Sequence, residues 1–210
     1  AYLVHHRGTF VHKEKIVEDI WPNQEKERAL GYLHTCIYQI RKTIRSFRLE
    51  ERMRVTYNND AYGLLMHGIP CDAEEFLRLA ERRDPAGAET VADWERAVQL
   101  YGGHYFEEDD FPWADPHKQR LLNVYLELVR ALADHYMRSG RPDQAASHLR
   151  ELLAKDPLHE EAHRRLLECL AEIGDRAALV QHYRAMERLF REELGVAPSP
   201  ETEALFRRLS

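Results

Sequence analysis

A 34-residue spacing in the second half of the chain restricts its fold more than any other feature of the sequence. Gly140 and Gly174 stand 34 residues apart. The same step relates three pairs of large apolar residues, namely Leu132 and Leu166, Tyr136 and Leu170, and Leu149 and Tyr183. A fixed period of this length is typical of repeated helix pairs that bury a core only by stacking on their neighbours. We therefore expect this half of the chain to form an array of α-helices.

The residue types within one period indicate the tetratricopeptide repeat. Large residues would interlock the two helices of a pair, Ala145 is small enough for the helices to approach closely, and Pro157 would end the second helix. The next period is less regular, because Leu179 replaces the small residue and Arg191 stands where the proline would be. Terminal repeats are commonly atypical, so the assignment stands. Further helices are predicted at residues 72–83, 90–101 and 200–209.

A different pattern precedes Gly68-Ile69-Pro70, a combination that interrupts regular structure. We place a domain boundary there, with one domain at residues 1–67 and the other at residues 68–210. Residues 1–6 resemble the end of a helix, since Gly8 can adopt the left-handed conformation that stops one. The first domain therefore begins inside a helix, and we expect it to be truncated.

The rest of the first domain predicts two helices and a hairpin. A short helix is expected at residues 13–20 and a longer, basic one at residues 27–47, whose apolar residues recur at helical spacing. That buried stripe consists of Leu30, Leu33, Ile37, Ile40 and Ile44. Residues 54–57 and 62–65 flank Asn58-Asn59-Asp60-Ala61, a turn sequence that tolerates positive φ. The predicted fold class is therefore mainly α: a truncated winged helix-turn-helix with a β-hairpin wing, followed by a tetratricopeptide-like array.

The net charge of −6 hides an asymmetry along the chain. Residues 1–67 contain 11 Lys and Arg against 8 Asp and Glu, which leaves 19 basic and 28 acidic residues for the remainder. The first domain is thus net positive and the second net negative. Such a division is typical of a nucleic-acid-binding module joined to one with other partners.

The predicted long helix has an outward face whose residue types suit base recognition. Opposite the apolar stripe, at about 100° per residue, lie Arg28, Gly31, Thr35, Gln39 and Lys42, flanked by Tyr32 and Tyr38. Arginine can bind guanine, glutamine can pair with adenine, and a threonine methyl can contact thymine. Lys42, Arg45 and Arg48, with Arg52 and Arg54 near the hairpin, would neutralise phosphates. A solvated helix face without function is the alternative interpretation.

His159-Glu160-Glu161-Ala162-His163 matches the HExxH pattern of zinc peptidases, in which two histidines bind the metal and the glutamate polarises water. The same segment opens a predicted repeat helix, where carboxylates favour the helix dipole and the residues would face solvent. A catalytic zinc also needs a third ligand and a cleft. We therefore predict no catalytic residue, no bound metal and no cofactor. Phosphate-binding loops and nucleophile motifs are absent from the sequence as well.

Cys36, Cys71 and Cys169 are too few and too far apart for a disulfide framework. We expect Cys36 to be a small packing residue beside Ile37. The cysteine content predicts a reducing cytoplasm, and no run of residues is apolar and long enough to predict a membrane span.

The segment at residues 101–113 is rich in aromatic and acidic residues. One interpretation is a loop whose rings hold the first helix pair of the second domain onto the repeats. The other is an acidic and aromatic surface for a protein partner. The structural interpretation is favoured, because large aromatic side chains are usually buried.

With these residues assembled, the whole chain resembles the Streptomyces antibiotic regulatory protein (SARP) family, in which an OmpR-like winged helix precedes a bacterial transcriptional activator domain. The resemblance is carried by Asp19-Ile20-Trp21-Pro22, by Leu33 to Ile44 with Ile40-Arg41-Lys42, by Trp113-Ala114-Asp115-Pro116 and by the closing string from Glu193 to Thr202. The chain departs from the family pattern at His12, Gly31-Tyr32, Gln39 and Ala61. These departures concern the preferred DNA sequence rather than the mode of binding.

The resemblance implies a transcriptional activator that binds repeats in double-stranded promoter DNA and contacts RNA polymerase. Thr35, Gln39 and Arg41 occupy the positions at which OmpR-like proteins contact bases, although periodicity places Arg41 away from the outward face. The predicted DNA-binding residues are Arg28, Tyr32, Thr35, Tyr38, Gln39, Arg41, Lys42, Arg45, Arg54 and Asn58. The helical array would mediate homodimerisation, a response to a signal, or the polymerase contact.

Family members commonly carry a small sheet before the first helix, and some carry a receiver domain. We therefore expect this chain to be a fragment, such as the output half of a response regulator. Two other functions stay open at this point. The repeats could hold a peptide or ligand without any DNA binding by the first domain, and the HExxH segment could belong to a hydrolase.

Overall fold

A computed structural model describes residues 1–81, 88–103, 105–107 and 111–210. The chain forms two compact units, one comprising residues 1–71 and 105–118 and the other residues 72–104 and 119–210. Whether the first folding domain ends at residue 67 stays a prediction. The end of the predicted helix at residues 82–83, and residues 104 and 108–110 of the aromatic segment, lie outside the described residues.

The first unit contains short helices and a small sheet. Its helices are α1 (Tyr2–His5), α2 (Lys13–Ile20) and α3 (Lys26–Ser46), and its strands are β1 (Phe10–His12), β2 (Met53–Asn58) and β3 (Ala61–Met66). The sheet is antiparallel in the order β1-β3-β2. The predicted turn is shorter than expected, because Asn58 and Ala61 pair in the ladder. Only Asn59 and Asp60 form the connection, both with positive φ (46° and 58°), a conformation that these two residue types tolerate.

The core of the first unit lies between α1, α2, α3 and the hairpin. Helix α2 has the predicted bounds, and the ring of His12 caps it by accepting a hydrogen bond of 3.4 Å from the Glu14 amide. The predicted stripe on α3 is wrong at one position, because Ile40 is 38% exposed. Ala29, which lies outside that stripe, is fully buried instead.

An apolar groove of about 520 Å³ in the first unit explains the exposure of Ile40. Ile40 lines it together with Cys36, Trp21 and Trp113, so no further layer of described side chains covers this part of α3. The expected packing role of Cys36 is wrong for the same reason, since this cysteine is exposed.

The aromatic segment divides between the two units. Tyr101 stacks on Tyr125 at 4.2 Å between ring centroids, inside the second unit. In the first unit Trp113 lies 5.0 Å from both Phe111 and Tyr2. The packing interpretation therefore holds for these rings, but Trp113 packs on α1 and does not hold a helix pair onto the repeats.

Beyond residue 71 the described chain forms helices that follow one another closely in sequence, and all of them belong to the second unit except residues 112–118. They are α4 (Asp72–Ala80), α5 (Ala88–Leu100), α6 (Asp115–Arg138, preceded by a 3₁₀ turn at Pro112–Ala114), α7 (Pro142–Lys155), α8 (Glu160–Ile173), α9 (Arg176–Glu193) and α10 (Pro200–Leu209). Helix α7 packs on α8, and α8 packs on both α9 and α10. Gly140 and Gly174 end their helices with φ of 66° and 80°, which favours glycine.

The large residues related by the 34-residue step are buried in the second unit: Leu132, Tyr136, Leu149, Leu166, Leu170 and Tyr183. Ala145 is fully buried where α7 needs a small side chain, and Leu179 is buried at the corresponding place in α9. The sequence period thus coincides with a structural one in the core. None of the described helices is long and apolar enough to cross a membrane.

Candidate nucleic-acid interface

All ten predicted DNA-binding residues are exposed. Eight of them lie on α3 and two on β2. On α3 the burial of Ala29, Leu33 and Ile37 fixes which side faces the core. Thr35, Gln39 and Lys42 therefore share the opposite side at intervals of three to four residues.

At the N-terminal end of this face, Arg28 and Tyr32 form a pair. The Arg28 Nε donates a hydrogen bond of 2.6 Å to the Tyr32 hydroxyl, and the guanidinium carbon lies 5.6 Å from the tyrosine ring centroid. The ring of Trp21 packs against that of Tyr32, with 6.0 Å between the ring centroids. The guanidinium is thus held in place by Tyr32, although Arg28 as a whole is exposed.

The middle of the face is open. The Thr35 hydroxyl donates to the Gly31 carbonyl oxygen at 3.0 Å, which leaves its methyl group and oxygen lone pairs available. Apart from its chain neighbours and the adjacent backbone of its own helix, no described atom lies within 4 Å of the position that a Cβ at Gly31 would take. Within the described part of the chain, the Gln39 side chain has no hydrogen-bond partner and can use both its amide donor and its acceptor.

The C-terminal end of the face is cationic and aromatic. Lys42 and Arg45 form no ion pair with any described residue, so their charges are not compensated locally. Tyr38 is 63% exposed, and Phe47, which follows the last helical residue, is 70% exposed. Exposure of large rings beside unpaired cations is unusual for a surface that faces only water.

The hairpin turn is tied to α2 by a network that the sequence analysis did not predict. The Asp60 carboxylate accepts a hydrogen bond of 2.7 Å from Lys13 Nζ and one of 2.6 Å from the Tyr57 hydroxyl. The hydrogen bond from Lys13 keeps the pKa of Asp60 below its usual range. The sequence signal that could have indicated this network is Asp60, in the predicted turn, together with Lys13, at the start of the predicted helix. The network fixes the end of the hairpin near Asn58.

Arg41 differs from the other nine residues. Its Nε and Nη2 both donate to the Val55 carbonyl oxygen of β2, at 3.3 and 3.1 Å. The guanidinium is partly buried by this contact. It therefore points toward the hairpin, whereas Gln39 and Lys42 project from α3 without a hydrogen-bond partner among the described residues.

Both histidines of the HExxH segment make contacts within the second unit. His163 is buried, contrary to the expectation that the segment faces solvent, and its ring nitrogens contact the Pro157 carbonyl oxygen at 2.8 Å and His182 at 2.9 Å. His159 caps α8 by accepting from the Ala162 amide. Among the described residues, no three His, Cys, Asp or Glu side chains are grouped as metal ligands.

Residues 71–210 match the family model described as "Bacterial transcriptional activator domain", and the chain belongs to this family. It is therefore a transcriptional regulator. Relatives that match the chain, named below, are regulators of the SARP type. This chain is a SARP-family member.

Three relatives support that assignment. The chain is 24% identical over 216 residues to transcriptional regulatory protein MoaR1 of Mycobacterium tuberculosis, covering 100% of the chain and 70% of MoaR1. It is 26% identical over 220 residues to regulatory protein AfsR of Streptomyces coelicolor, covering 100% of the chain and 21% of AfsR. It is 26% identical over 227 residues to transcriptional regulator RedD of the same species, covering 99% of the chain and 60% of RedD.

The fold is similar to that of a solved structure, Mycobacterium tuberculosis EmbR in complex with a low-affinity phosphopeptide. The TM-score is 0.70 at 19% sequence identity, and the match covers 99% of this chain and 56% of the EmbR chain. The chain thus spans about half of that structure and between 21% and 70% of the three relatives.

Proposed function

We propose that the chain regulates transcription by binding double-stranded DNA through α3, which enters the major groove as the recognition helix of a winged helix, with β2 and β3 as the wing. The observation that carries this proposal is the outward face of α3. It presents an open threonine, an unpartnered glutamine and two uncompensated cations, on a helix whose other side is fixed by the core.

The charge distribution along the chain also supports DNA binding by the first 67 residues. The net positive charge of the first 67 residues attracts a phosphate backbone, and the net negative charge of the remainder opposes contact with it. Arg28, Lys42 and Arg45 would neutralise phosphates along the groove, and Arg54 and Asn58 would contact the backbone beside the wing. Thr35 and Gln39 would contact base edges.

The second unit would act on proteins rather than DNA. Its buried positions recur with the period of tetratricopeptide repeats, an architecture that presents an extended surface to partners. We propose that this unit serves homodimerisation, signal response or contact with RNA polymerase, and that the regulator is an activator of promoters with repeated sites.

Sequence-specific DNA binding is tested by incubating the full-length protein with a random pool of duplexes and recovering those that bind. We expect a defined recovered sequence, and the spacing of its repeats would report the geometry of a dimer. Gln39→Ala should relax preference at one base pair by about tenfold, the magnitude of a lost bidentate contact, with a smaller effect on overall affinity. Gln181→Ala, the same change at an exposed position of α9, is the matched control and should retain the wild-type preference.

Charge reversal separates this proposal from a scaffold that does not bind DNA. Reversal at Arg28, Lys42 and Arg45 should abolish promoter output, and each single change should reduce the dependence of affinity on salt. Unchanged output in the triple variant, or wild-type affinity that does not depend on salt, would refute DNA binding by α3.

A further inference from the structure

The double hydrogen bond from Arg41 to β2 is unlike any other contact on the candidate DNA-binding face. In the order β1-β3-β2, strand β2 has a neighbour on one side only, so part of its backbone lacks a strand partner. The Val55 side chain is 5% exposed and holds β2 against the core. Arg41 donates to the carbonyl oxygen of that same residue, at a point of the strand that cannot shift freely.

We propose that Arg41 is a positioning residue: it fixes the distance between α3 and the hairpin, and base recognition belongs to Thr35 and Gln39. This inference rests on the proposed DNA binding. Arg41 lies away from the side of α3 that Thr35 and Gln39 share, and two of its guanidinium nitrogens already donate to the Val55 carbonyl oxygen. Its remaining N–H groups can still approach a phosphate while the contact to Val55 is kept.

The contact between Arg41 and Val55 lies where it can fix the position of the hairpin. Val55 lies between Arg54 and Asn58 on β2, so the strand that carries both candidate backbone contacts is attached to α3 at this point. The far end of the hairpin is attached to α2 through Lys13 and Asp60. With both ends fixed, the hairpin and the recognition face present a preformed pair of contacts to a duplex, which lowers the cost of ordering them on binding.

Lys42 provides a matched control within the chain. It is the next residue on α3, has the same charge, is exposed and has no described hydrogen-bond partner. Arg41→Ala and Lys42→Ala therefore remove one positive charge each from neighbouring positions, but only the first removes the link to β2. Arg41→Lys keeps the charge while losing the forked geometry that lets two nitrogens donate to one oxygen.

Two measurements test the proposal in the full-length protein. The first is amide hydrogen exchange across β2 and β3 without DNA, and the second is the base preference recovered from a random duplex pool. We expect exchange in the hairpin to be about tenfold faster in Arg41→Ala and Arg41→Lys, and unchanged in Lys42→Ala. The recovered base preference should match the wild type in all three variants, and Lys42→Ala should lower the salt slope by about 1.

The possible failures are distinguishable. A changed base preference in either Arg41 variant would overturn the assignment of base recognition to positions 35 and 39. Hairpin exchange at the wild-type rate in both Arg41 variants would overturn the positioning role. Failure of the wild-type protein to select any duplex would refute the proposed function, and the exchange measurement would still decide whether Arg41 positions the hairpin.

Discussion

His163 of α8 is buried and pairs with the half-buried His182 of α9. His163 Nε2 must carry a proton, because the Pro157 carbonyl oxygen at 2.8 Å can only accept. His163 Nδ1 then accepts from the Nε2–H of His182, at 2.9 Å. One added proton can be accommodated by a change of tautomer in the other ring, but protonation of both rings sets two N–H groups against each other, so acid should break the pair.

The sign and size of the pH effect follow from burial. Desolvation, followed by the nearby charges of His163 and Arg150, lowers the pKa of His182 from about 6.5 to about 4. Desolvation also lowers the pKa of His163. Because the unfolded chain binds protons more readily, the stability contributed by the pair is complete above pH 6.5 and declines as the pH falls toward 4. For His182 alone, the loss between pH 7.5 and pH 5 is about 2 kcal/mol.

Urea unfolding followed by circular dichroism at the two pH values measures this loss. In His182→Gln the amide can still donate to His163 but cannot gain a proton, so the loss should shrink by about 2 kcal/mol. His67→Gln makes the same change at an exposed position and should retain the wild-type pH dependence. An equal loss in wild type and His182→Gln would refute the reasoning.

Two further changes test the packing of the second unit. Leu149→Ala removes a side chain that is 1% exposed and should lower the free energy of unfolding, measured by urea titration, by about 3 kcal/mol. A loss below about 1 kcal/mol would contradict close packing of α7. Thr202→Val removes the hydroxyl that donates to the Glu160 carboxylate at 2.6 Å and should lower the free energy of unfolding by about 2 kcal/mol in the same assay. Thr202→Ser keeps the hydroxyl and should lower it less. The reverse order would show that the hydrogen bond contributes little.

The sequence predicted helices and turns well where local chemistry decides them. The bounds of α2 were correct, and the Asn59-Asp60 connection formed where residues that tolerate positive φ follow a strand. The 34-residue period located buried residues correctly, since all six large residues that it relates lie in the core.

Features that depend on contacts between distant residues were not predictable in this way. Ile40 satisfies the helical period but lies beside an open groove, so periodicity alone could not show its exposure. His163 carries a polar ring in a polar segment, yet α9 covers it through His182. The partners of Arg41 and Asp60 are 14 and 47 residues away in sequence, beyond the range of local patterns.

The first unit takes its residues from two separate stretches of the chain. Residues 105–118 bring Trp113 against Tyr2, so a gene segment that encodes only residues 1–71 lacks part of the packing of this unit. Exchange of the first unit between regulators of this architecture therefore cannot be made at one crossover point. A functional chimaera has to transfer both stretches together, or rebuild in the recipient the aromatic contacts that the donor leaves behind.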